Sequence, residues 1–101
     1  MQTPLQITYR DLPHTDALDT HIRDKARKLE QFFPGLIACR VVVEQSGRHQ
    51  QHGNPYKIHI DVTVPGSEIV VDRKENEDVY VALRDAFDAA KRQLDDYVQQ
   101  L

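Results

Sequence analysis

Sulfur chemistry is scarce in this chain, which holds one cysteine, Cys39, and one methionine among 101 residues. A lone cysteine excludes an internal disulfide, and its place in the apolar run Leu36 to Val43 marks it as a buried, inert thiol. Glycine and proline are few, four and five, and there is no internal repeat or low-complexity tract. No glycine-rich phosphate loop precedes a helix, no nucleophile elbow is present, and no cysteine or serine sits beside an evident base. Asp61, Asp72 and Asp85 are scattered along the chain, so binding is expected rather than catalysis, with no cofactor and no small-molecule substrate. No apolar run approaches the roughly twenty residues of a membrane helix. Met1 to Arg10 lacks the basic start and apolar block of a signal peptide. A cytoplasmic location without a membrane partner follows as the expectation. Positive charge is not in excess either: 13 Lys and Arg stand against 16 Asp and Glu, a net charge of −3. That excludes a protein coating nucleic acid by bulk charge, so the distribution of the basic residues decides.

What is present is the composition of an ordinary globular protein, 40% hydrophobic and 29% charged, and the length fits a single domain over residues 1–101. Leu5, Ile7 and Tyr9 alternate with polar residues and predict a half-buried strand. Thr15 is a suitable cap for a helix running to about Phe33, with Leu18, Ile22, Ala26, Leu29 and Phe33 on one face and Pro34 and Gly35 ending it. Ile37 to Glu44 is short and β-branched, which predicts a strand with much of both faces covered. Ser46 to Pro55 has no apolar residue and predicts an exposed, mobile loop. Tyr56 to Val64 alternates perfectly. Pro65 and Gly66 suit the centre of a type II turn, and Ile69 to Val71 predict a returning strand. Asp78 to Leu101 predicts one long amphipathic helix with Val79, Leu83, Ala86, Phe87, Ala90, Leu94, Tyr97, Val98 and Leu101 on its stripe. The order βαβββα is an α+β arrangement, most economically a four-stranded sheet with both helices on one face.

Three segments, KARKLEQFF (Lys25 to Phe33), IDVTVPGSEIVV (Ile60 to Val71) and EDVYVALRDAFDAAKRQL (Glu77 to Leu94), resemble in order and spacing the ribosome hibernation-promoting factor or ribosomal subunit interface protein family. The resemblance covers nearly the whole chain. It implies a fold akin to double-stranded RNA-binding domains. It also implies binding to small-subunit ribosomal RNA in the channel of messenger and transfer RNA, which silences the ribosome under stress or in stationary phase. Ribosomal proteins would be further partners. The resemblance is to the short form, so the extra dimerisation domain of long members is not expected.

Helical geometry then asks whether the basic residues gather. At about 100° per residue with Ile22 facing the core, Lys25 and Lys28 fall about 60° and 120° to one side, with His21 between them, and Arg23 and Arg27 on the other. In the last helix Arg84 and Lys91 share a flank with Tyr80, and Arg92 points outward. Side by side, the two helices would frame a phosphate-binding surface, joined by Arg73 and Lys74 from the loop before the last helix. The resemblance favours Lys25, Lys28, Arg84, Lys91 and Arg92 as RNA-binding residues, and Arg23 and Arg27 less. A different reading of the same charges is a solvated face with simple helix pairs, Asp24 with Lys28 or Asp88 with Arg92. One departure from the family is that Asp95 and Asp96 stand where members commonly carry further lysines, and these carboxylates would repel phosphate. His49 and His52 lack companion ligands and read as loop histidines rather than a metal pair, with Arg48 and His49 a candidate contact to RNA or ribosomal protein. The alternative function is a protein-interaction module using a strand edge or the sheet's open face, with Lys57, His59 and Thr63.

Overall fold

The computed structural model describes residues 1–45 and 55–101, apart from the side chain of Arg73. The expected loop Ser46 to Pro55, with Arg48, His49 and His52, therefore lies outside the described residues but for Pro55. The elements follow the order β1 (Gln6–Arg10), α1 (Asp16–Phe32), β2 (Ala38–Gln45), β3 (Tyr56–Val64), β4 (Ser67–Asn76) and α2 (Val79–Gln99). The four strands form one sheet, as the alternation and turn signals predict, and their order in it is β1-β2-β3-β4. β1 runs parallel to β2, which requires a crossover that α1 supplies, and the remaining pairs are antiparallel.

Local chemistry sets the ends of both helices. The Thr15 hydroxyl accepts a hydrogen bond from the Leu18 N–H at 3.2 Å, and the Asp78 carboxylate accepts one from the Tyr80 N–H at 2.9 Å, each satisfying a donor that the first turn leaves without a partner. Gly66 sits at φ 75°, the left-handed backbone that a type II turn demands of its second central residue.

Both helices bury their stripes against the same side of the sheet. Leu18, Ile22, Ala26 and Leu29 of α1 join Leu83, Ala86, Phe87, Ala90 and Leu94 of α2 over Val41, Val43, Ile58, Ile60 and Val62 in one cluster. Cys39 lies in that cluster, and burial, aided by the Asp61 charge, pushes its thiol up to about 12, so the thiolate is absent at neutral pH. β2 has its second face covered only in part, since Val42 is buried while Arg40 is exposed.

Two expectations need correction. The α2 stripe ends at Tyr97, whose hydroxyl donates to the Pro65 carbonyl at 2.6 Å. Val98 and Leu101 are 42% and 83% exposed, because the helix outruns the sheet beneath it. Arg73 and Lys74 belong to β4 rather than to a loop. The β3–β4 register shifts between Ile58 and Ile60, so Asp72 and Arg73 together lie opposite His59. That bulge reverses the alternation beyond it. Asp72 stays on the open face, and Lys74, paired with the buried Ile58, turns towards the helix side.

Candidate nucleic-acid interface

The helices run side by side in the same direction, because His21 meets Tyr80 and, eleven residues further along each, Phe32 meets Lys91. Their stripes face the sheet, so the flanks between them form a groove. At one end the His21 and Tyr80 rings meet edge to face, centroids 4.8 Å apart. Further along, Lys25, Lys28 and Lys91 converge on a cleft of about 180 Å³ floored by Leu29 and Phe87, with Phe32 and Asp88 on its wall. The Lys91 ammonium lies over the Phe32 ring, 4.8 Å from its centre. Phe32 and Tyr80 remain 41% and 44% exposed, so the groove offers an accessible aromatic at each end with lysines between.

Lys25, Lys91, Arg92 and Lys74 make no ion pair with any described carboxylate, whereas Lys28 approaches Asp24 at 3.5 Å. The structure brings Lys25, Lys28 and Lys91 together, as helical geometry suggests. Arg92 stands at the border of the groove and reaches a second concavity between α2 and β4, where the bulge has delivered Lys74. Arg84 lies one turn beyond Tyr80 and is held by the neighbouring Asp85 at 3.2 Å. Arg23 pairs with Asp19 at 2.7 Å and Arg27 pairs with Asp24, so the far flank of α1 has its charge answered within the helix. The Asp88–Arg92 pair that sequence spacing allows is not among the ion pairs of the described residues, which leaves Asp88 in the groove.

His21 has its Nε2 enclosed without a hydrogen-bond partner among the described residues. Burial, and then the Lys25 charge, hold its imidazole below the ordinary value of 6.5. It is a neutral spacer between the helices.

Sequence reasoning missed a second polar cluster, on the open face of the sheet. Arg40 and Asp61 are direct partners across β2 and β3, and the guanidinium grips the carboxylate through Nε at 3.1 Å and through a second nitrogen. His59 sits between carboxylates, Nε2 at 2.9 Å from Asp61 and Nδ1 at 3.1 Å from Asp72. Burial pushes the Asp61 carboxyl up, but hydrogen bonds from Arg40 and His59 together with their charges outweigh it and hold Asp61 below the usual carboxylate range. Asp61 and Asp72, scattered in the sequence, thus converge on one histidine. Only the strand register and the bulge reveal this. Among the described residues no group of three or more metal-ligating side chains forms, and no helix is long and apolar enough to cross a membrane.

Comparison with known proteins follows the same lines. The N-terminal domain of Protein Y from Thermus thermophilus superposes with a TM-score of 0.77 at 26% identity, covering 96% of this chain and 99% of that one. A ribosomal subunit interface protein from Coxiella burnetii shares the fold, with a TM-score of 0.79 at 17% identity over 94% of this chain and 97% of that one. Among curated protein sequences none matches significantly. Residues 5–101 match the sequence pattern described as sigma 54 modulation protein / S30EA ribosomal protein. With almost its whole length in that match and the βαβββα fold of its structural neighbours, the chain belongs to this family of ribosome-associated subunit interface factors.

Proposed function

We propose that this protein silences translation by docking the groove between α1 and α2 on small-subunit ribosomal RNA, in the channel that messenger and transfer RNA otherwise occupy, under stress or in stationary phase. It acts in the cytoplasm as a binding factor, not an enzyme. The observation that carries the reading is the convergence of Lys25, Lys28 and Lys91 on one cleft bordered by the exposed Phe32 ring, in a chain whose net charge is −3. Cationic side chains hold phosphates, and an exposed aromatic ring stacks on unpaired bases, which is how proteins grip folded RNA. Arg92 and Lys74 extend the cationic border past the groove, whereas Arg23, Arg27 and Arg84 contribute less because each has an adjacent carboxylate. On the open sheet face Arg40, His59, Asp61 and Asp72 engage one another, which leaves fewer groups to meet a protein partner there.

The test is competition on purified small subunits. Fluorescently labelled protein is expected to bind and to be displaced by excess messenger and transfer RNA together, and to inhibit cell-free translation in proportion to its occupancy. Binding that is unaffected by both RNAs, or that survives stripping of the RNA from ribosomal protein, would overturn the proposal.

A further inference from the structure

Where α1 ends, the groove opens into a cleft of about 400 Å³ lined by Phe32, Asp88, Lys91, Arg92 and Asp95. Resting on the RNA-binding reading above, we propose that this cleft receives one unpaired nucleobase, stacked on Phe32, and that it favours bases carrying an exocyclic amino group over uracil. Four observations converge on it. Phe32 is an exposed large aromatic at the last residue of α1. Its ring face is occupied by a lone ammonium, that of Lys91. An exposed cation–π contact is worth less than a base–aromatic stack, so a base displaces the ammonium, and the flexible lysine stem swings the charge to the neighbouring phosphate.

The third observation is the pair of carboxylates, which are out of place in a surface meant only for phosphate. Asp88 has no ion pair among the described residues, and Asp95 is engaged by the Gln99 side-chain amide at 3.2 Å. Carboxylates accept hydrogen bonds and donate none at neutral pH. Cytosine, adenine and guanine present amino groups to such acceptors, whereas uracil presents carbonyl oxygens on either side of its single N–H and is repelled. Asp88 and Asp95 thereby act on a base edge instead of weakening a phosphate contact. Lastly, Arg92 at the border supplies a fork for the phosphate next to the stacked base.

The experiment uses the full chain with small subunits and with short oligoribonucleotides of cytidine or uridine. Phe32→Leu is expected to weaken small-subunit binding about 5- to 150-fold, the loss of one base–aromatic stack, while leaving the dependence on salt unchanged, because no charge is removed. Phe32→Tyr keeps a stacking face and is expected to retain affinity. The wild-type protein should quench an oligonucleotide containing 2-aminopurine and prefer cytidine to uridine, and Asp88→Asn should narrow that preference. Unchanged binding by Phe32→Leu beside weakened binding by a Lys25→Ala/Lys91→Ala variant overturns the stack and leaves the groove reading standing. Unchanged binding by both overturns both. Absence of quenching with the wild-type protein overturns the stack without recourse to any variant, and equal affinity for the two oligonucleotides overturns the base preference.

Discussion

Binding through the groove carries a quantitative signature in salt. Lys25, Lys91 and Arg92 have no described carboxylate partner, and Lys28 shares only a 3.5 Å approach to Asp24, so about four cations are available to replace counterions on RNA phosphates. Each phosphate contact contributes a slope of roughly −0.7 on single strands to −0.9 on duplex in log affinity against log salt. Four contacts therefore give a slope of about −2.8 to −3.6, and affinity for small subunits falls about 50- to 150-fold between about 50 and 200 mM potassium salt at constant magnesium. A Lys25→Ala/Lys91→Ala variant removes two of them, and its slope is expected to be shallower by about 1.4 to 1.8. The side chains are surface-borne and touch no buried charge, so the fold is kept, which thermal denaturation checks. Fluorescence anisotropy over a salt series measures both slopes. A wild-type slope near zero, or a variant slope equal to it, refutes the groove as the electrostatic contact.

The remaining predictions concern the flanks, the helix joint and the core. Arg23→Ala and Arg27→Ala are each expected to change small-subunit affinity less than about 3-fold, because their charges already face Asp19 and Asp24; a loss as large as that of the groove variant would show that the far flank of α1 meets RNA. His21 is held below its ordinary value of 6.5, so the folded protein binds a proton there less readily than the unfolded chain. Its contribution to stability is full above 6.5 and declines as pH falls below that value. Chemical denaturation of wild type against His21→Phe across that interval should show the variant losing less stability on acidification, and parallel losses would contradict the assignment. Leu94→Ala should cost about 2–5 kcal/mol, as for other fully buried leucines, whereas Leu101→Ala should stay within about 0.5 kcal/mol; similar costs would mean that the end of α2 is buried after all.

Much of this molecule is legible before any coordinates, and the part that is not has identifiable causes. Thr15, Asp78, Pro65 and Gly66 act through neighbours two or three residues away, so their capping and turn chemistry can be read directly. The inward faces of β3, α1 and most of α2 follow from period alone. Val98 and Leu101 continue the α2 period but have no sheet under them, and periodicity carries no information on where a partner surface ends. Lys74 fails for a different reason. Strand parity holds only until a bulge, and the bulge at Asp72 and Arg73 depends on pairing with β3. The Arg40–Asp61–His59–Asp72 cluster is likewise a product of register, invisible in residues separated by up to 32 positions, although the β3 alternation that puts His59 and Asp61 on one face is a usable sign. In the groove, helical angles place Lys25, Lys28 and Lys91 on facing flanks. They do not reveal that Phe32 underlies Lys91 or that Asp85 holds Arg84, since both depend on how the helices are set against each other and on rotamers.

Site-specific photo-crosslinking on bound ribosomes tests the central claim most directly. A crosslinking residue placed at Lys28 or Asp88 on the groove, and for comparison at Lys57 or Thr63 on the open sheet face, is irradiated in the complex. The account predicts adducts to small-subunit ribosomal RNA from the groove positions and none from the sheet positions. Adducts to RNA from the sheet face alone, or groove adducts only to protein, would contradict it.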